Sequence, residues 1–140
     1  MTSTLSLQHA RGSFTVEVKP QTPDNPAAET SGVSRLSLQK QFQGDLEGTG
    51  QGEMLGAGDG KTSGGYVAME KISGTLGGRK GSFVMIHRAL MAGGVPTEWT
   101  IDVVPDSGTE ELKGLSGSLK ITVAEGKHTY EFAYSLAETP

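Results

Sequence analysis

Two strands of this chain carry residues capable of acid–base chemistry inside apolar alternations. Along Tyr66 to Leu76, the residues Tyr66, Ala68, Glu70 and Ile72 fall on one face. Along Gly81 to Met91, Phe83, Met85 and His87 share one face, opposite Val84, Ile86 and Arg88. The pair Gly77-Gly78 between the segments is a hairpin signal and makes the two strands neighbours. Glu70 and His87 then meet if their faces match. A carboxylate beside an imidazole fixes its tautomer and forms a general acid–base pair. The same two residues also suit a cross-strand polar pair or surface salt bridge with no catalytic role.

A second set lies near the C-terminus, where His128, Tyr130, Phe132 and Tyr134 share a face. An aromatic stripe at period two suits a core, and inward phenols need hydrogen-bond partners, which a ligand can supply in a hollow fold. Trp99, the sole tryptophan, suits core packing or the lining of a ligand site. Glu70 (base or anchor) and His87 (proton shuttle) are thus the candidate catalytic residues. Tyr66, Met85, Trp99, Tyr130 and Tyr134 are the candidate ligand-binding ones.

Other chemistries lack their signatures. Cysteine is absent, which removes disulfides and thiol catalysis and fits a reducing, cytoplasmic setting. No HExxH, paired histidine at metal spacing or EF-hand loop occurs, so neither metal nor cofactor is expected. Gly48-Thr49-Gly50-Gln51-Gly52 lacks the Lys-Ser/Thr pair and following helix of a phosphate loop. The net charge of −4, with no basic stripe, argues against nucleic-acid binding. No apolar run is long enough to span a membrane as a helix, and Met1 to Leu5 does not resemble a signal peptide.

The elements that must position these residues read as strands throughout. The expected strands are Gly12 to Lys19, Val33 to Phe42, Leu46 to Leu55, Tyr66 to Leu76, Gly81 to Met91, Thr97 to Val104, Leu112 to Val123 and His128 to Leu136. Apolar period 3.6 is absent, so no helix is expected; the proline-rich stretch Gln21 to Ala28 reads as an exposed loop. Residues 1–11 read as a loose N-terminal segment of a single domain, 1–140. The 21 glycines sit within patterned segments and recur as Gly44-Asp45-Leu46-Glu47-Gly48, Gly74-Thr75-Leu76-Gly77-Gly78 and Gly114-Leu115-Ser116-Gly117. Glycine within strands absorbs sharp bends and close backbone approach. The expected fold is therefore all-β: one eight-stranded antiparallel up-and-down barrel, with a sandwich as the alternative. Such a barrel is either filled by side chains or holds one small ligand.

Several segments in order carry a family resemblance: Gly44-Asp45-Leu46-Glu47-Gly48, Tyr66-Val67-Ala68-Met69-Glu70, Gly77-Gly78-Arg79-Lys80-Gly81-Ser82-Phe83 with His87, Val103-Val104-Pro105-Asp106-Ser107-Gly108-Thr109, and Lys127-His128 with Tyr130. From about Phe14 to Leu136 the chain resembles a bacterial family of unknown function with the allene-oxide-cyclase-like barrel. Glu110 departs from that pattern, which carries glycine after Ser-Gly-Thr. The resemblance implies a central cavity and, by analogy with the distant cyclases, a homo-oligomer. It implies no reaction, and no catalytic residue transfers from it.

Two functions are open at this stage. One is a small-molecule-binding barrel, acting on an apolar substrate as a cofactor-independent isomerase or cyclase. The other is a non-enzymatic structural or interaction protein with a filled barrel and an apolar outer face at Val67, Met69, Val84 and Ile86. Whether the chain is an enzyme is undecided by sequence, because a one-residue register slip exchanges the two faces of every strand.

Overall fold

Alternation builds the eight strands in chain order. The structure, a computed structural model, describes residues 6–136. Strands β1 (Gln8–Gln21), β2 (Ser34–Gly44), β3 (Leu46–Gly58), β4 (Gly64–Leu76), β5 (Arg79–Ala92), β6 (Val95–Val103), β7 (Leu115–Ala124) and β8 (Lys127–Leu136) each pair antiparallel with the next, and β8 pairs with β1. The result is the closed barrel expected. Two-residue turns with glycine join β4 to β5, β5 to β6 and β7 to β8. Gly77 and Gly78 both have positive φ (57° and 85°), the mirror-image turn that suits the twist of a tight hairpin. That turn sets Glu70 opposite Met85 and Ala68 opposite His87.

Three local expectations need correction. The stretch read as loop contains a short helix, α1 (Pro26–Ser31). Asn25 caps it by accepting from Ala28 N–H at 2.9 Å, Pro26 begins it, and Gly32 ends it at φ 68°. It buries no residue, so it shows no apolar stripe for periodicity to detect. The N-terminal segment is partly ordered: Gln8 to Arg11 belong to β1 and pair with β8. Residues 1–5 of that segment lie outside the described ones. Finally, β7 starts at Leu115, because Glu110–Leu112 forms a 3₁₀ turn that drives Leu112 into the core, fully buried.

Glu110 itself sits at φ 52°. A side chain in that left-handed region costs about 1–2 kcal/mol, and glycine's greater unfolded-state freedom costs about 0.5–1 kcal/mol. Glu110→Gly is therefore expected to stabilise by about 0.5–1 kcal/mol, seen as a rise of roughly 2–4 °C in thermal unfolding. A lowered midpoint would contradict this account of the turn.

The barrel has a packed end and an open end. At the packed end, Phe83 stacks on Phe132 at 5.8 Å, and Phe132 meets Tyr134 at 5.2 Å. The crossing from β6 to β7 lies against this end, held to β5 by Val104 N–H to Val84 O (2.8 Å) and Thr109 N–H to Ser82 O (2.9 Å). Between β6 and β7 only Asp102 and Ser118 pair, joined by the Ser118 hydroxyl donating to the Asp102 carboxylate. Among the described residues no helix is long and apolar enough to cross a membrane.

Candidate functional site

The interior chemistry begins with a strand that has almost no side chains. The inner positions of β3 include Gly48, Gly50 and Gly52, which face Phe42, Lys40 and Leu38 of β2; on β4, Gly50 and Gly52 face Ile72 and Glu70. Gly50 is essential in this arrangement: a Cβ there would overlap the Glu70 carboxylate. The vacated space lets Glu70 lie inside the barrel, 1% exposed.

Glu70 is the centre of a buried ion triad. Its Oε1 accepts from Lys40 Nζ at 3.1 Å and contacts His87 Nε2 at 2.8 Å. Both partners are buried, Lys40 at 7% and His87 at 3% exposure. The Lys40 ammonium also lies 4.9 Å from the Phe14 ring centroid and 5.8 Å from that of Phe42, within the range of cation–π attraction. Oε2 of Glu70 is buried without a hydrogen-bond partner among the described residues. Burial pushes the Glu70 carboxyl up, but the His87 hydrogen bond and the Lys40 charge outweigh it and hold it below its ordinary value. With the carboxylate ionised, His87 donates from Nε2, and Nδ1 is left as the acceptor of the neutral ring.

Beyond the triad the barrel opens at its mouth. A cavity of about 460 Å³ opens at the mouth, lined in part by Leu36, Met54, Tyr66, Ala89, Met91 and Trp99. Glu70 and His87 are outside this lining and lie beneath it: Ala89 pairs with Tyr66 one inner step above the Ala68–His87 pair. The small side chains of Ala68 and Ala89 leave little β4 or β5 bulk between imidazole and cavity. The Tyr66 phenol is raised by burial; the Trp99 indole partly offsets this, and the Glu70 charge adds to it. Part of the rim is the loop after β3. There the Asp59 carboxylate accepts from the backbone N–H of Lys61, Thr62 and Ser63 and from the Thr62 hydroxyl, which holds it well below the usual carboxylate range.

The expected site residues divide into two groups. Glu70 and His87 meet as expected, and Tyr66 and Trp99 line the cavity. Tyr130 and Tyr134 face inward but belong to the packed end. The Tyr130 hydroxyl accepts from Leu46 N–H at 2.9 Å and lies 3.0 Å from both Gln43 O and Leu46 O, so it ties the β2–β3 turn. The Tyr134 hydroxyl donates to Gln8 Oε1 at 3.2 Å. Protein groups therefore satisfy both phenols. Met85 is 1% exposed, opposite Glu70 in the core, and does not line the cavity. The residue missed by sequence reasoning is Lys40. Its signal was present: it occupies the apolar face of β2, in line with Leu36, Leu38 and Phe42.

Among the described residues no cluster of three metal-ligating side chains occurs. A closed antiparallel eight-stranded barrel, with one end packed and a buried Lys–Glu–His triad beneath an apolar mouth cavity, is the class of protein that fold and site define. The chain belongs to the DUF3224 family of proteins of unknown function, whose family model matches residues 10–134. It is similar to the crystal structure of a DUF3224 protein of unknown function from Shewanella oneidensis MR-1. The two share 39% identity over 96% of this chain and 100% of that one, with a TM-score of 0.85. Comparison with curated proteins finds no match.

Proposed function

We propose that this barrel binds an apolar small molecule in the mouth cavity, with the ligand's polar end directed down toward His87 and Glu70, and acts on it without a cofactor. The observation that carries this reading is the placement of a buried ion triad directly beneath an apolar cavity. A barrel needing only a core would fill that volume with side chains, because buried charges add little stability over well-packed apolar ones. Roughly 460 Å³ is within the ordinary range for small-molecule sites. The ligand would be mostly apolar, since Leu36, Met54, Met91 and Trp99 outnumber the polar groups around it.

A second reading rests on the outer wall. Leu55, Val67, Met69 and Ile86 are each 43–50% exposed and adjacent across β3, β4 and β5. Such a patch suits assembly of copies or a protein partner; Val84, expected there too, is half-buried, on a stretch whose N–H donates to the Ser107 hydroxyl.

Native mass spectrometry of freshly purified protein, with thermal-shift titration of apolar ketones, alcohols and acids, tests the first reading. The expected result is a co-purifying molecule or a saturable rise in midpoint that Ala89→Phe, which fills the cavity floor, abolishes. A clean apo mass with no shift across the set would overturn it and favour the outer-wall reading.

A further inference from the structure

Resting on that reading, we infer that the cavity takes an enolisable carbonyl compound and catalyses proton transfer at the carbon next to its carbonyl, with His87 as the base and Tyr66 as the group that receives the carbonyl oxygen. The two residues are diagonal inner-face neighbours, since Ala68 pairs with His87 and Tyr66 with Ala89. Diagonal neighbours lie about 7–8 Å apart. A carbonyl compound seated on the cavity floor would therefore have the imidazole beneath it and the phenol in the wall beside it.

Each group is prepared for its part by a neighbour. Glu70 accepts from His87 Nε2 at 2.8 Å, so the ring's second nitrogen, Nδ1, carries the lone pair. As Nδ1 takes a proton, the charge appearing on the ring is stabilised by the carboxylate already bonded to it. Lys40, 3.1 Å from the same oxygen, keeps that carboxylate ionised and acts as a positioning residue. At the mouth, Trp99 stands with Tyr66 in the cavity lining and partly offsets the rise that burial causes in the Tyr66 phenol. The phenol's own proton remains for the ligand. A dyad serving structure alone would not need a phenol in the cavity lining one inner step away.

The step balances without a co-reactant. The C–H bond beside the carbonyl breaks, and Nδ1 takes the proton. The C–H electron pair forms the C=C bond, and the carbonyl π pair moves to oxygen, where Tyr66 donates its hydrogen bond. When the proton on Nδ1 is replaced by a solvent deuteron, delivery to the same carbon gives exchange; delivery of the proton or deuteron to a conjugated carbon gives an isomer.

Exchange in D₂O tests this directly, with 2-tetralone and larger apolar ketones as probes, deuterium uptake followed by NMR, and binding followed in parallel by thermal shift. Uptake above the buffer rate is expected to saturate with ketone. His87→Gln should lower it about 100-fold, as loss of a general base does. Tyr66→Phe, at the mouth and keeping its ring, should lower uptake at saturating ketone at least about tenfold, and it serves if His87→Gln does not fold. Ketones that bind without accelerated exchange would overturn this inference and leave the binding reading standing. Equal exchange in wild type and folded Tyr66→Phe or His87→Gln would also overturn it. No thermal shift with any ketone, alcohol or acid would overturn both.

Discussion

Glu70→Gln is expected to destabilise the protein by about 3–5 kcal/mol, because it leaves the Lys40 ammonium buried without a counter-charge. Lys40 would keep the two aromatic rings beside it, which repay only part of the loss (about 2 kcal/mol at best when desolvated). Lys40→Met should be similarly costly, since it strips the buried Glu70 carboxylate of the ammonium paired with it. The double variant Lys40→Met/Glu70→Gln should recover much of the loss, because neither buried charge remains. Denaturant unfolding of the four proteins gives the coupling directly. Additive single effects would show that the triad is not an energetic unit. The wild type carries a matching pH signature. The Glu70 carboxyl is held below its ordinary value of 4.5 in the folded state. Its contribution is therefore present above 4.5 and is lost as pH falls through the lower folded value. The Glu70→Gln protein should lack that component of its acid unfolding.

The second large effect concerns a glycine. Gly52→Ala is expected to cost about 3 kcal/mol or to prevent folding, through overpacking against main chain that cannot yield. A Cβ at Gly52 would overlap the Met69 carbonyl oxygen and lie 2.8 Å from the Glu70 Cα. Relief would require β3 and β4 to separate at the residue that holds the triad. Gly56→Ala, two inner positions along the same strand, is the matched control. There the nearest atom to a Cβ is 3.6 Å away, an ordinary contact, so its midpoint should stay within a few degrees of wild type. Equal losses at both positions in thermal unfolding would mean that strand propensity, not close approach, sets the requirement for glycine.

The contrast between these positions explains what could be read in advance. Glu70 and His87 were legible as neighbours because the Gly77-Gly78 hairpin defines its own register. Once Leu76 is opposite Arg79, every pair up to Ala68–His87 follows by counting. Lys40 depends on two successive pairings through β3, whose inner positions are mostly glycine and carry no pattern to count. Its place on the apolar face of β2 was visible, but not the carboxylate that it meets. The phenols of Tyr130 and Tyr134 posed a different problem. Their direction followed from period-two alternation, whereas their partners are main-chain atoms of a turn and the Gln8 side chain, joined only when β8 closes onto β1. Helix α1 was hidden because its six residues bury nothing, and a cap at Asn25 is too local to alter an otherwise polar reading.

The seam at Asp102 and Ser118 has a mechanical consequence. On the opposite wall β3, β4 and β5 are joined by long continuous ladders, and two members of the ion triad stand there. The ring is thus stiff around its charges and compliant on the far side. Spreading at the seam interrupts one bridge, whereas spreading elsewhere interrupts a whole ladder. The edge of β6 that faces β7 is accordingly the least restrained part of the wall, whereas the strands that carry Glu70 and His87 are tied along their length.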